Sequence, residues 1–192
     1  MSTSPLPAVL VTGGARRIGA AIARRFGAAG WHVVIHYHGS QAQASALAAT
    51  LPSAQTWRCD LADHRAALAM IAALAQQLPD WRCLVSNAAI FPHDAVTALD
   101  PVANSAVMQV NALTPALMAQ AFLAQARSTR GRRVIQITDQ KLAAPNPDFF
   151  SYTMSKAAID IAARMLAQHG AGTGDRVYRL APGAILASHD QS

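Results

Sequence analysis

Short apolar runs alternate with longer, alanine-rich amphipathic stretches along most of the chain. Each apolar run predicts a strand, and the six strands cover residues 8–12, 32–37, 56–59, 82–86, 133–138 and 177–181. The stretches between them have helical periodicity and predict helices over residues 17–29, 41–51, 63–78, 99–127 and 152–169. Continuous apolar strands are typical of a sheet that is buried on both faces. The alternation therefore predicts an α/β fold, a doubly wound parallel sheet of the Rossmann type, in a single domain over residues 1–192.

The composition of the chain indicates the class of protein and its cellular location but does not assign a function. Hydrophobic residues make up 52% of the 192 residues, which fits a helix-rich globular chain rather than a disordered one. The N-terminal sequence lacks the basic start and apolar run of a signal peptide, and no uninterrupted apolar stretch reaches the roughly 18 residues of a membrane span. Cys59 and Cys83 have no ligand-like spacing around them. We therefore expect buried reduced thiols, no metal site and a cytoplasmic location.

The formal net charge of +6 comes mostly from arginine and has three interpretations. A basic surface could bind nucleic acid. Arginines also cover helix faces in contact with water and need no partner there, and we favour this interpretation. A few of them could hold a phosphate-bearing small molecule. We therefore expect a small-molecule ligand, with neither nucleic acid nor a membrane as a partner.

A glycine-rich turn lies between the first predicted strand and the first predicted helix. Gly13, Gly14 and Gly19 would let the backbone approach a diphosphate at the helix N-terminus, although glycines also close ordinary tight turns. The second strand ends in IHYHGSQ, which lacks the carboxylate that binds the ribose of NAD. Four polar residues near these two segments could surround a 2′-phosphate instead: Arg16, Arg17, His38 and Ser40. A polar loop without function is the alternative, but the pattern favours NADPH over NADH.

Tyr152 and Lys156 are four residues apart in a predicted helix and so share one face. A lysine ammonium close to a phenol is expected to lower the pKa of the phenol, which would make Tyr152 a usable proton donor. Such pairs are frequent by chance on exposed helices. This pair follows the fifth strand, at the edge of the sheet where ligands bind.

An ordered set of motifs resembles the short-chain dehydrogenase/reductase family over essentially the whole chain. The motifs are TGGARRIG (12–19), CDL (59–61), SNAA (86–89), Asn111, YTMSK (152–156) and APG (181–183). The resemblance implies that Tyr152 is the proton donor, that Lys156 binds the ribose and assists Tyr152, and that Asn111 holds a relay water. It also implies a set of further cofactor contacts, namely Gly13, Ile18, Gly19, Tyr37, Asp60, Leu61, Asn87, Ala88, Pro182 and Gly183.

Two departures from the common family pattern resemble the pteridine reductases and dihydromonapterin reductases. Asp139 stands where most members have a serine thirteen residues before the tyrosine, and Arg17 stands where most have a glycine. The resemblance implies that Arg17 contacts both the cofactor phosphates and the pterin, that Asp139 replaces the serine, and that Phe91 stacks on the pterin ring. Gly39 stands where some pteridine reductases have a further arginine.

Three functions remain as alternatives. The first is NADPH-dependent reduction of dihydromonapterin or dihydrobiopterin, with dihydrofolate as a further candidate. The second is a 3-oxoacyl or carbonyl reductase, which Asp139 disfavours because an ionised carboxylate has no proton to donate to a carbonyl. The third is a non-catalytic dinucleotide-binding module, because the chain stops at APGAILASHDQS, without the last strand and the substrate-covering C-terminal helices of family members. We also expect a homo-oligomer, a dimer or tetramer, formed through residues 99–127 and 152–169.

Overall fold

The computed structural model describes residues 5–169 and 172–183. Six strands form one sheet: β1 (Ala8–Val11), β2 (His32–Tyr37), β3 (Ala54–Arg58), β4 (Trp81–Ser86), β5 (Arg133–Ile137) and β6 (Arg176–Leu180). Six α-helices lie between or beside them: α1 (Arg17–Ala28), α2 (Gln41–Ala49), α3 (His64–Gln77), α4 (Pro101–Met108), α5 (Thr114–Gln125) and α6 (Phe150–His169). The predicted order of strands and helices is confirmed.

All six strands run parallel in the order β3-β2-β1-β4-β5-β6. The order reverses direction between β1 and β4, so the connections from these two strands leave on opposite sides and open a crevice at their carboxyl ends. The turn after β1, the SNAA segment after β4 and Asp139 after β5 all lie at this edge. The topology therefore gathers the motifs that are far apart in the sequence.

Apolar layers cover both faces of the sheet, as the continuous strand patterns predict. On one face Val9, Val33 and Ile35 pack with small residues of α1 and with Leu47 of α2. On the other face Leu10, Val34 and Leu84 pack with the large side chains of α3 and α5. Trp81 and Phe122 meet edge to face inside this second layer, with ring centres 4.8 Å apart. The sheet edge that carries the motifs therefore rests on a rigid scaffold.

The helix predicted over residues 99–127 is interrupted in its middle. A π-helical turn, Gln109–Leu113, separates α4 from α5. Pro115 has no amide hydrogen, so it cannot donate the bond that the carbonyl of Asn111 would accept in a regular α-helix. Such turns are frequent at functional sites, and this one contains Asn111.

One described segment, Pro101–Gln125, is long and apolar enough to cross a membrane by length and composition alone. Val107, Met118 and Phe122 from this segment are fully buried in the protein. Asn111, near its middle, is buried and hydrogen-bonded to other parts of the chain. These contacts are those of a core helix.

Candidate functional site

The glycine turn packs tightly against the segment that follows β4. Gly13 has a φ of +60°, and a Cβ added there would lie 3.1 Å from the Cα of Ala88. A Cβ on Gly19 would lie 2.1 Å from the carbonyl oxygen of Gly13, which is sterically impossible. Thr12 joins the same two segments, because its hydroxyl accepts hydrogen bonds from the amides of Asn87 and Ala88 at 2.9 and 3.0 Å. The glycines therefore set the shape of the crevice.

A cavity of about 350 Å³ opens beside this turn. It brings together ten of the residues that the sequence assigned to the cofactor: Gly13, Arg16, Arg17, Ile18, Gly19, Tyr37, His38, Ser40, Asn87 and Ala88. Gly39 also lines it. The cavity thus joins the start of α1 to the ends of β2 and β4, which is the arrangement that the sequence predicts.

The residues of this cavity fit an anionic dinucleotide. α1 begins at Arg17 with no side-chain cap on its first amides and no acidic residue in its first turn. An uncapped helix N-terminus beside arginine side chains favours a phosphate group. Arg17 itself has a φ of +50°, a left-handed conformation that glycine adopts most easily. The chain therefore carries an arginine in a strained conformation at the start of α1.

Five predicted cofactor residues lie outside this cavity lining. Asp60 is close to it, since its carboxylate lies 3.8 Å from Nε2 of His38. Leu61 is 5% exposed and belongs to the hydrophobic core, so its side chain packs inward. The carbonyl of Pro182 accepts a hydrogen bond from the amide of Gln140, which places Pro182 and Gly183 beside the Asp139 turn. Lys156 belongs to the second half of the site.

The second half of the site is a hydrogen-bonded pair, Asp139 and Tyr152. The Tyr152 hydroxyl donates to Oδ2 of Asp139 at 2.7 Å. Oδ1 of the same carboxylate accepts the amide of Lys141 at 2.8 Å, so both oxygens are fixed. Lys156 is buried beneath the pair and donates to the carbonyl of Ile137 at 2.8 Å. The three predicted side chains are thus brought together.

The predicted effect of Lys156 on the phenol was wrong. The pKa of Tyr152 is raised, not lowered, because burial disfavours the phenolate and the neighbouring Asp139 carboxylate opposes a second negative charge. The Lys156 ammonium lies 5.4 Å from the centre of the tyrosine ring and does not reverse this direction. Burial lowers the pKa of Lys156 to about 8. In the protein without ligands, Tyr152 therefore keeps its proton over the whole physiological range.

Asn111 ties the π-helical turn to both sides of the site. Its side-chain oxygen accepts from the amide of Ile90 at 2.9 Å, and its Nδ2 donates to the carbonyl of Ile90 at 2.9 Å. The same Nδ2 donates to Ser155 at 3.1 Å, one residue before Lys156. The side chain of Asn111 therefore holds the Phe91 loop against α6.

Phe91 lies against Tyr152. Its ring centre is 4.4 Å from that of Tyr152 in an edge-to-face arrangement and 4.1 Å from that of Phe149 in a flat stack. His93 also meets Phe149 edge to face. Phe91 is 48% exposed, so an apolar aromatic surface borders the ring of Tyr152.

Sequence reasoning missed His36, which connects three cofactor-facing segments. It is 2% exposed, its Nδ1 accepts from the amide of Gly13 at 3.1 Å, and its Nε2 therefore donates to the carbonyl of Cys59 at 3.0 Å. Burial lowers the pKa of His36 to about 4, so the ring is neutral and keeps this tautomer. The sequence signal that could have identified His36 is its polar side chain within the largely apolar strand β2.

Comparisons with known proteins agree with this geometry. The short chain dehydrogenase family matches residues 7–192. The solved FolM alternative dihydrofolate reductase 1 from Brucella suis, in complex with NADP, is 35% identical with a TM-score of 0.90, and the match covers 97% of this chain and 76% of that one. Pteridine reductase 1 of Leishmania tarentolae is 30% identical over 99% of this chain and 81% of its own length. Dihydromonapterin reductase of Citrobacter koseri is 30% identical over 95% and 75%.

The subgroup that the departures at Arg17 and Asp139 resemble is thus represented among the relatives. Residues 184–192, where the chain was expected to stop short of the last strand, lie outside the described part. The family match extends over nearly the whole chain, and the sheet order, the glycine turn and the Tyr152–Lys156 pair agree with it. The chain belongs to the short-chain dehydrogenase family and is an oxidoreductase that uses a nicotinamide dinucleotide.

Proposed function

We propose that this protein reduces a pterin, dihydromonapterin or dihydrobiopterin, with NADPH as the hydride donor, and that dihydrofolate is a further candidate substrate. The observation that carries the proposal is the 2.7 Å hydrogen bond from Tyr152 to Asp139. A serine at this place would donate to a substrate carbonyl. An ionised carboxylate can only accept, so it suits a substrate ring that carries N–H donors.

The platform beside this pair suits a flat ring. Phe91 offers an exposed aromatic surface next to Tyr152. Stacking on such a ring contributes about 0.5–1.5 kcal/mol beyond the burial of area. Arg17 lines the neighbouring cofactor cavity and supplies a donor for a ring oxygen or a phosphate. A simple ketone or an acyl thioester has no counterpart for the Asp139 and Phe91 contacts.

NADPH, when bound, supplies the hydride, and the chain supplies the proton. Tyr152 is the proposed donor. Release of its proton would leave a phenolate 2.7 Å from the Asp139 carboxylate, which is electrostatically costly. The Lys156 ammonium, 5.4 Å from the centre of the tyrosine ring, offsets part of the charge that develops.

The proposed preference for NADPH rests on the end of β2. His38 and Ser40 line the cavity together with Arg16 and Arg17, and β2 ends without a carboxylate. The remaining cofactor roles are proposed for the residues that the resemblance assigned. The side chain of Leu61 faces the core, so only its backbone is proposed as an adenine contact.

The decisive experiment is a substrate panel on the 192-residue chain: dihydromonapterin, dihydrobiopterin, dihydrofolate and an acetoacetyl thioester, each with NADPH. We expect reduction of the pterins. Asp139→Ser should lose pterin reduction far more than it loses NADPH affinity, whereas Asp148→Ser removes a carboxylate from the same loop and should change neither. Reduction of the thioester alone would make the protein a carbonyl reductase. NADPH binding without any reduction would favour a non-catalytic binding module.

We also propose that each chain forms a single domain, that the protein is cytoplasmic and that it assembles into a homo-oligomer. The predicted contact helices carry exposed apolar side chains, with Val102 of α4 78% exposed and Ile161 and Met165 of α6 51% and 60% exposed. Singly these need no partner, but they lie on the two segments that the sequence assigned to an interface. Analytical ultracentrifugation of the wild-type chain and of a Val102→Glu, Met165→Glu variant tests the proposal. A monomer in both cases would contradict it.

A further inference from the structure

The loop that carries Phe91 is fastened to the start of α6 by Asp94. Both carboxylate oxygens of Asp94 accept the amide of Ser151, at 3.2 and 3.1 Å, and Oδ2 also accepts its hydroxyl. The backbone carbonyl of Asp94 accepts the amide of Phe149 at 2.7 Å. One residue thus binds two positions around the beginning of the helix, Ser151 by its side chain and Phe149 by its backbone.

α6 depends on this external cap. Its first turn contains no acidic residue, and Phe149, which precedes it, is an aromatic residue with a φ of +55°. A phenylalanine side chain cannot accept a hydrogen bond from the first amides of a helix. A carboxylate at this end also interacts favourably with the helix dipole. The sequence predicts a helix start at Tyr152, whereas α6 begins at Phe150, because the cap comes from a distant loop.

The contacts around Asp94 form a closed unit that is buried at its centre. Ser151 is 1% exposed, and its hydroxyl also accepts a hydrogen bond from Nδ2 of Asn104 at 2.8 Å. Ala95 forms an isolated backbone bridge with Asp148. The loop after β4, α4 and the start of α6 are therefore joined at one point.

This point lies between the proposed substrate platform and the proposed proton donor. Asp94 is three residues after Phe91, and Ser151 is one residue before Tyr152. The two rings meet at 4.4 Å, so a small shift of the loop against the helix would change the separation between the platform and the hydroxyl. Catalysis is sensitive to such shifts, because a misplacement of about 1 Å can reduce the rate about 100-fold.

We propose that Asp94 is a positioning residue: by capping α6 from the substrate loop, it sets the placement of Phe91 relative to Tyr152. The inference rests on the proposed function, because Phe91 and Tyr152 are its substrate platform and proton donor. Asp94 touches neither the cofactor cavity nor the Asp139 carboxylate in the described residues. Its effect is therefore confined to the pterin half of the reaction.

The test compares Asp94→Ala with Asp100→Ala. Asp100 lies on the same loop and caps α4 in the same manner, accepting the amides of Val102 and Ala103 at 2.8 and 3.4 Å. Both variants lose one helix cap, so both should lower the Tm by about 2–4 °C. Only Asp94→Ala should lower the kcat for dihydromonapterin, by about 10-fold to 100-fold, with an unchanged Kd for NADPH. Asp94→Asn keeps one acceptor and should recover part of the loss.

Equal kcat values for Asp94→Ala and Asp100→Ala, measured well below both Tm values, would overturn the positioning role and leave the proposed function intact. A parallel loss of NADPH affinity would also overturn it, because it would show general disruption of the fold. If Asp94→Ala fails to fold, Asp94→Asn carries the same comparison. A wild-type chain that reduces no pterin would overturn the proposed function and this inference with it.

Discussion

Replacing Arg17 with glycine tests two properties of this residue separately: the backbone strain at its positive φ and the contribution of its side chain to ligand binding. Arg17 has a φ of +50°, and α1 begins at this residue, so a cation stands at the positive end of the helix dipole. Arg17→Gly restores the residue that most family members have and removes the side chain from the cofactor cavity. The substitution therefore relieves the backbone strain at this position while it removes a predicted contact to the ligand.

The magnitude follows from the backbone geometry. A non-glycine residue in the left-handed region costs about 1–3 kcal/mol, and a cation in the first turn of a helix costs a further few tenths. Glycine gives back about 0.5–1 kcal/mol, because it makes the unfolded chain more flexible. Relative to Arg17→Ala, which loses the same guanidinium contacts, Arg17→Gly should therefore raise the free energy of unfolding by up to about 2.5 kcal/mol and the Tm by a few degrees.

The affinity for NADPH should fall in the Arg17→Gly variant. Loss of one charge-assisted hydrogen bond costs about 1.5–3 kcal/mol, which corresponds to a rise of about 10-fold to 150-fold in the Kd for NADPH. Calorimetry measures the Kd, and urea unfolding measures the stability. Arg17→Ala is the matched control, because it removes the same guanidinium but keeps a side chain at positive φ. Its affinity should fall as in Arg17→Gly, without the gain in stability.

Two outcomes would refute this reasoning. An unchanged Kd for NADPH in both variants, together with an unchanged pterin KM, would show that Arg17 contacts neither ligand. A stability of Arg17→Gly below that of Arg17→Ala would show that the left-handed backbone is not costly here. The first outcome concerns the function of the side chain and the second concerns only the turn.

Three further predictions follow from the site. Tyr152→Phe should bind NADPH as the wild type does and lose about 100-fold or more in turnover, and wild-type turnover would exclude Tyr152 as the donor. NADPH should bind at least about tenfold more tightly than NADH, since each charge-assisted bond to the 2′-phosphate contributes about 1.5–3 kcal/mol, and equal Kd values by calorimetry would contradict this. The pKa of His36, lowered to about 4, means that the unfolded chain binds more protons below the ordinary value of 6.5, so this residue costs stability as the pH falls from 6.5 to 4. His36→Asn should flatten that part of the pH–stability curve, and parallel curves for variant and wild type would refute it.

The fold was predictable because its signals are local. Continuous apolar strands and amphipathic helices alternate with a regular spacing, and each predicted strand agrees with the structure to within two residues at either end. The break in the 99–127 helix was not predicted, although Pro115 marks it, because proline is also tolerated in the first turn of a helix.

The site was predictable where a motif places a residue at the end of a strand. Ten of the residues predicted to bind the cofactor line one cavity, because parallel strands bring their carboxyl ends to one edge. The raised pKa of Tyr152 was not predictable from spacing. Helical spacing places Lys156 on the same face as Tyr152. Only the folded structure shows that the Asp139 carboxylate lies 2.7 Å from the tyrosine hydroxyl, whereas the Lys156 ammonium lies 5.4 Å from the centre of the ring. Asp94 was missed because capping from a distant loop has no local signal.

Two described residues other than glycine have a positive φ, Arg17 and Phe149, and both border the site. Arg17 lines the cofactor cavity, and the ring of Phe149 stacks on Phe91 at 4.1 Å. Glycine would adopt either backbone conformation at a lower cost, so each side chain offsets about 1–3 kcal/mol of strain by its contacts. At Phe149 the stack with Phe91 and the hydrogen bond to Asp94 supply that compensation within the protein. At Arg17 the start of α1 makes a cation unfavourable, and a bound anion would reverse that sign. A phosphate bound in the cavity would therefore favour the guanidinium at this position, in agreement with the residues that line the cavity.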